Sequence, residues 1–154
     1  MIYNYPNFKQ KMTKKADLVK ERFPLNFNCA QTVFSLFAAD LGLNEQTALK
    51  IASGFGGGMD CAETCGAVTG AYMVIGLKHG HSSTDPDEKA NTKMKIKRFN
   101  DLFREKHGSL TCKVLTGFDI STPEGADLAQ EAGVFMNKCP EFIQTACNIL
   151  EEYY

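Results

Sequence analysis

The chain has no apolar run long enough to cross a bilayer. Its most apolar stretch, Ala67 to Leu77, falls far short of the roughly 20 residues required. The opening residues, MIYNYPNFKQKMTKK, lack the apolar segment of a secretory leader, so a cytoplasmic protein is expected. Net charge is nearly absent too: a formal value of -1 gives no overall attraction to nucleic acid or anionic membranes. Cysteine is scarce by the standard of stapled folds, six in 154 residues against the roughly 8–10% of a disulfide scaffold. In the cytoplasm those six should be mostly reduced, which leaves metal binding, redox chemistry or plain burial. No segment alternates with period two for long enough to predict a strand, and there are no repeats and no linker. A chain of this length buries roughly 70% of its unfolded surface and needs no staples.

Familiar catalytic signatures are missing as well. The run GFGGGM lacks the third glycine of a dinucleotide loop, follows no strand and has no Lys-Ser/Thr of a phosphate loop. No CxxC occurs, no Ser/His/Asp arrangement can be read, and the carboxylates follow no constraining pattern. His79-Gly80-His81 reads as a solvated turn after a helix, His107 as a helix-end residue, and Lys89, Lys93, Lys95, Lys97 and Arg98 as a solvated face.

What is present is helical periodicity. A marginal surface helix is predicted from about Lys9 to Arg22, peripheral to the rest within residues 1–24. Asn28 caps a firm helix carrying Cys29, Val33, Leu36 and Phe37, which stops at Gly42. Asn44 opens another that ends in the glycines from Gly54 to Gly58. An unusually apolar helix is expected from about Ala62 to Leu77. Asp85-Pro86 starts one running to about Lys106 with Ile96, Phe99, Leu102 and Phe103 inside. Thr111 precedes a short turn, Thr122-Pro123 a short helix, and Cys139-Pro140 the last one. The expectation is an all-α single domain, residues 1–154, of about five main helices around a buried central helix.

The cysteines fall at these starts. Cys29, Cys65, Cys112 and Cys139 each stand near the positive end of a predicted helix dipole, which favours the thiolate, the species that attacks disulfides and binds metals. If those ends converge, the protein has a sulfur-lined pocket with Cys65 as its central thiolate. Cys61 lies four residues before Cys65, close enough on a continuous helix to act as a resolving or auxiliary thiol. Cys147, on the apolar face of the last helix, reads as a small core residue. Gly54, Gly56, Gly57 and Gly58 either bring backbone amides near an anion or cofactor, or merely separate two helices. Gly66 and Gly70, four apart, allow a neighbouring helix to come close beside Cys65.

Taken in order, FNCAQTVF, GFGGGM, TCGAVTGAYMVIG, SLTCKVLTG and CPEFIQTACNILEE closely resemble the redox-active protein family named for its C, C-G-A-x-x-G, C, C pattern, over roughly Phe27 to Glu152. The resemblance implies an all-helical cytoplasmic protein, an oxidoreductase or electron-transfer protein with an external redox partner. The family cysteines fall on Cys29, Cys65, Cys112 and Cys139, with Gly66, Ala67 and Gly70 completing the central motif; Cys61 and Cys147 are extras. Three readings stay open at this point. The four sulfurs cycle through a disulfide or hold an iron–sulfur cluster; they form a closed four-thiolate zinc site in a non-catalytic protein; or they are buried apart, with no site at all.

Overall fold

The computed structural model describes residues 13–154. Among them lie nine α-helices and no strand, so the protein is all-α. The first helix, α1 (Lys15–Arg22), starts later than its expected beginning near Lys9; residues 9–12 lie outside the described residues, and Thr13 and Lys14 are not helical. Ala16 and Val19 are its buried residues, and it packs on the last helix. The second, α2 (Cys29–Ala38), opens with a full capping box, in which the Asn28 side chain accepts from the Gln31 amide and the Gln31 side chain accepts from the Asn28 amide. Next, α3 (Glu45–Ala52) is capped by Asn44.

The apolar helix α4 (Gly66–His79) begins four residues after its expected start, for a reason given below. Residues Gly66 to Ala71 are buried without a break, followed by Val74 and Ile75, and the helix touches α2, α5 and α9. No one face of it is polar because three neighbours cover it. The glycines make the closest of these approaches possible. A Cβ on Gly70 would lie 2.9 Å from both the Ala30 carbonyl oxygen and Val33 Cβ, and one on Gly66 would lie 2.9 Å from Cys29 Cβ. Each glycine costs roughly 1 kcal/mol of helix propensity relative to alanine, and backbone-to-backbone packing against α2 offsets it.

The long helix α5 (Pro86–His107), capped by Asp85, buries Phe99 and Phe103, whose rings stack 6.0 Å apart. After it come three short pieces, α6 (Cys112–Thr116), α7 (Pro123–Glu131) and α8 (Val134–Asn137), and then α9 (Cys139–Tyr153). The expected five main helices thus become nine. Gly117 and Gly133, at φ +82° and +70°, end the expected short turn α6 and the expected short helix α7, and the four-residue α8 that follows is the piece the sequence does not predict. The main core joins α1 to α5 with α6 and α9, and a second, smaller core under α7 and α8 holds Ala129, Val134 and Cys139. No helix of the described residues is long and apolar enough to cross a membrane.

Candidate active site: a cavity lined by four thiols

Between α3 and α4 the glycine run builds a left-handed turn. Gly57, Gly58, Met59 and Asp60 follow one another at φ +58°, +63°, +58° and +55°, and Ala62 is at +56°. Two glycines enter this conformation freely, but Met59, Asp60 and Ala62 are held there at roughly 1–2 kcal/mol each. Amides of Asp60, Ala62 and Glu63 close the turn on the carbonyls of Gly56, Gly57 and Gly58, each at 3.2 Å. This turn delays α4, and so Cys61 and Cys65 do not share a helix face. Cys61 is exposed, and its thiol donates to the Gly58 carbonyl at 3.1 Å.

Beyond the turn the backbone extends and pairs. The Cys65 amide donates to the Leu110 carbonyl at 2.8 Å and the Cys112 amide to the Glu63 carbonyl at 2.6 Å, on either side of an antiparallel bridge between Thr64 and Thr111. Cys65 and Cys112 therefore lie on the same side of this bridge as diagonal neighbours. Cys65 is the N-cap of α4, while Cys29, Cys112 and Cys139 are the first residues of α2, α6 and α9.

These four helix starts line one cavity of about 200 Å³. Phe23, Phe27, Ile120, Phe135 and Phe142 form most of the remaining wall, with Asn28, Thr116, Gly57 and Gly66. Cys65, Cys112 and Cys139 are buried and Cys29 is partly exposed. Cys29 and Cys139 pack together in the smaller core.

The thiols differ in acidity. Burial pushes Cys65 up to about 12, although the Ala67 and Val68 amides at the start of α4 favour its thiolate. Burial, with Cys139 beside it, pushes Cys112 up to about 11. Cys29 and Cys139 act on each other: their side-chain interaction, with burial, raises Cys29 well above the ordinary thiol value, and the same interaction lowers Cys139, burial of Cys139 working the other way. The most acidic sulfur of the cavity is thus Cys139, whereas the sequence singles out Cys65.

A family model described as "Putative redox-active protein (C_GCAxxG_C_C)" matches residues 27–153. The chain belongs to this redox-active family. The match takes in all four cavity cysteines and the C-G-A-V-T-G run from Cys65 to Gly70. No curated protein and no solved structure matches the chain.

The other residues singled out in this redox-active family member lie elsewhere. Cys147 is fully buried in the main core, as its place on the apolar face of α9 suggests. His79 Nε2 lies 3.1 Å from the Tyr154 carbonyl oxygen, His81 Nδ1 3.2 Å from Thr92 Oγ1, and His107 Nε2 2.8 Å from Thr145 Oγ1, so the histidines do not converge. Of the glycines proposed for a cofactor, Gly57 and Gly66 line the cavity. Gly56 lies against the Asn28 side chain, where a Cβ would sit 2.3 Å from Cγ, and Gly58 against the Glu63 amide and Cys112 Cβ. Among the described residues no group of three or more His, Cys, Asp or Glu side chains is arranged to hold one metal ion. The aromatic wall is what the sequence reading missed. Phe27 and Phe142, which flank Cys29 and Cys139 within three residues, were the available signal.

Proposed function

We propose that this protein is a dithiol redox protein whose working couple is Cys29 and Cys139. The observation that carries the reading is that Cys29 and Cys139, at the starts of α2 and α9, pack into one small core and line one cavity, which also holds Cys65 and Cys112. The helix ends favour a thiolate at Cys139, and the Cys29 S–H holds it there. Cys139 attacks the oxidant and forms a mixed bond to it. Cys29 then gives up its proton and displaces the reduced fragment, closing a Cys29–Cys139 disulfide as two electrons pass to the oxidant. At neutral pH Cys65 and Cys112 remain thiols in the wall.

The test is anaerobic purification with iron, sulfide and zinc measured on the same sample, followed by equilibration in dithiol/disulfide buffers and peptide mapping. The expected product is colourless and crosslinks Cys29 to Cys139 reversibly, with the loss of two hydrogens. Stoichiometric iron and inorganic sulfide would overturn the dithiol reading in favour of a cluster on Cys29, Cys65, Cys112 and Cys139; stoichiometric zinc with no redox response would overturn it in favour of a structural site.

A further inference from the structure

We infer that the cavity selects small, uncharged, apolar disulfides as the oxidants reduced by the Cys29–Cys139 couple, an inference that rests on the dithiol reading above. Size sets the first limit. A volume of about 200 Å³ has room for a dialkyl disulfide of a few carbons and not for the whole of a tripeptide disulfide.

Polarity sets the second. Among the described residues no Asp, Glu, Lys, Arg or His side chain lines the cavity. Its two uncharged polar side chains are both committed to the protein. Asn28 accepts from the Gln31 amide at 2.8 Å and donates to the Ser53 carbonyl at 2.9 Å. Thr116 donates its hydroxyl to the Cys112 carbonyl at 2.7 Å and accepts from the Phe118 amide at 3.3 Å. The Gly57 carbonyl is taken by the Ala62 amide. A charged substrate would lose its water and gain no charged side chain as partner, at a cost of several kcal/mol. The Cys139 thiolate and the positive ends of α2, α4 and α9 share the wall and offset each other, so neither sign of charge finds a net counter-charge there. An apolar disulfide meets phenylalanine and sulfur on every side.

The electron balance closes within this couple. The Cys139 thiolate displaces one alkanethiolate from the substrate S–S bond and forms Cys139–S–S–R. Cys29, passing its proton to the departing alkanethiolate, displaces the second one and forms the Cys29–Cys139 disulfide. The substrate bond takes two electrons and leaves as one thiol and one thiolate.

The experiment uses the full chain, pre-reduced and freed of reductant, in single turnovers with four disulfides that share one reactive bond. These are diethyl disulfide, bis(2-hydroxyethyl) disulfide, dicationic cystamine and dianionic 3,3′-dithiodipropionate, each rate normalised to that with free dithiothreitol. The normalised rate for diethyl disulfide should exceed those of both charged compounds by about tenfold or more, the uncharged diol falling between. Phe135→Lys, a cation placed in the wall, should shift the ratio towards dithiodipropionate by a similar factor. Equal or faster normalised rates for the charged compounds on the wild type would overturn the selection while leaving the couple standing. Absence of a Cys29–Cys139 crosslink with every compound, and with diamide, would overturn the couple and the selection together.

Discussion

On the proposed reading, replacing Cys29 with alanine removes the S–H that holds the Cys139 thiolate. A hydrogen bond to a charged group contributes about 1.5–3 kcal/mol, and at 1.36 kcal/mol per pKa unit its loss raises Cys139 by about 1–2 units. Below the midpoint the thiolate fraction falls about 10–100-fold. Nucleophilicity rises with pKa along a Brønsted slope of about 0.4–0.5, so the net loss of reactivity is about 3–10-fold. The assay is iodoacetamide alkylation followed by peptide mapping, which reads Cys139 alone from pH 6 to 11. Wild-type Cys139 should show a midpoint below the ordinary 9.0, and the Cys29→Ala profile should lie about 1–2 units higher. Cys29→Ser, whose hydroxyl still donates, should fall between them. A wild-type midpoint at or above 9.0, or identical profiles for wild type and Cys29→Ala, would refute that hydrogen bond and with it the choice of Cys139 as the attacking sulfur.

Three further outcomes concern stability. Gly57→Ala and Gly58→Ala should both lose about 1–2 kcal/mol for a left-handed alanine. Gly58→Ala should lose about 2–3 kcal/mol more by overpacking, because its Cβ would meet the Glu63 amide nitrogen at 2.4 Å; equal urea midpoints for the two would rule out that collision. Gly70→Ala should lower stability by about 1–2 kcal/mol, overpacking against α2 outweighing the gain in helix propensity, and a raised melting temperature would contradict the close crossing. Cys147 is pushed up from 9.0 to about 12, chiefly by burial. The folded state therefore keeps a proton that the unfolded state releases: this contribution is complete below pH 9 and falls by about 1.4 kcal/mol per unit as pH rises towards 12. Cys147→Ala should flatten the alkaline stability curve by that slope; parallel curves would show that Cys147 does not titrate differently on folding.

The helix starts were legible in the sequence because they are local. Asn28, Asn44, Asp85 and Thr122 each stand immediately before a helical run and accept from an amide of its first turn, and the same proximity put Cys29, Cys112 and Cys139 at first positions. The start of α4 was not legible, since nothing in GFGGGMDCA says that Met59 and Asp60 follow two glycines into the left-handed region. That one turn moved the helix start and separated Cys61 from Cys65. Nor was the Cys29–Cys139 contact legible, because it joins opposite ends of the chain through packing that no periodicity encodes. The aromatic wall was hidden for a similar reason: Phe23, Ile120 and Phe135 become neighbours only after the short α6, α7 and α8 turn the chain back on itself.

The sequence distance between Cys29 and Cys139 would give the proposed couple a second property. A disulfide closing a loop of about 100 residues removes about 4.7 kcal/mol of chain entropy from the unfolded ensemble. Oxidation would therefore act as a covalent clamp between the two ends of the fold, and the oxidised protein should resist denaturant more than the reduced one. By the same thermodynamic cycle, the native fold must hold the disulfide more tightly than the unfolded chain does, by the same amount. The gap in folding stability between the oxidised and reduced chains and the gap in potential between the native and unfolded couple are then one measurement made from two sides: a mutation far from the cavity would shift the native potential only where it destabilises one redox form more than the other.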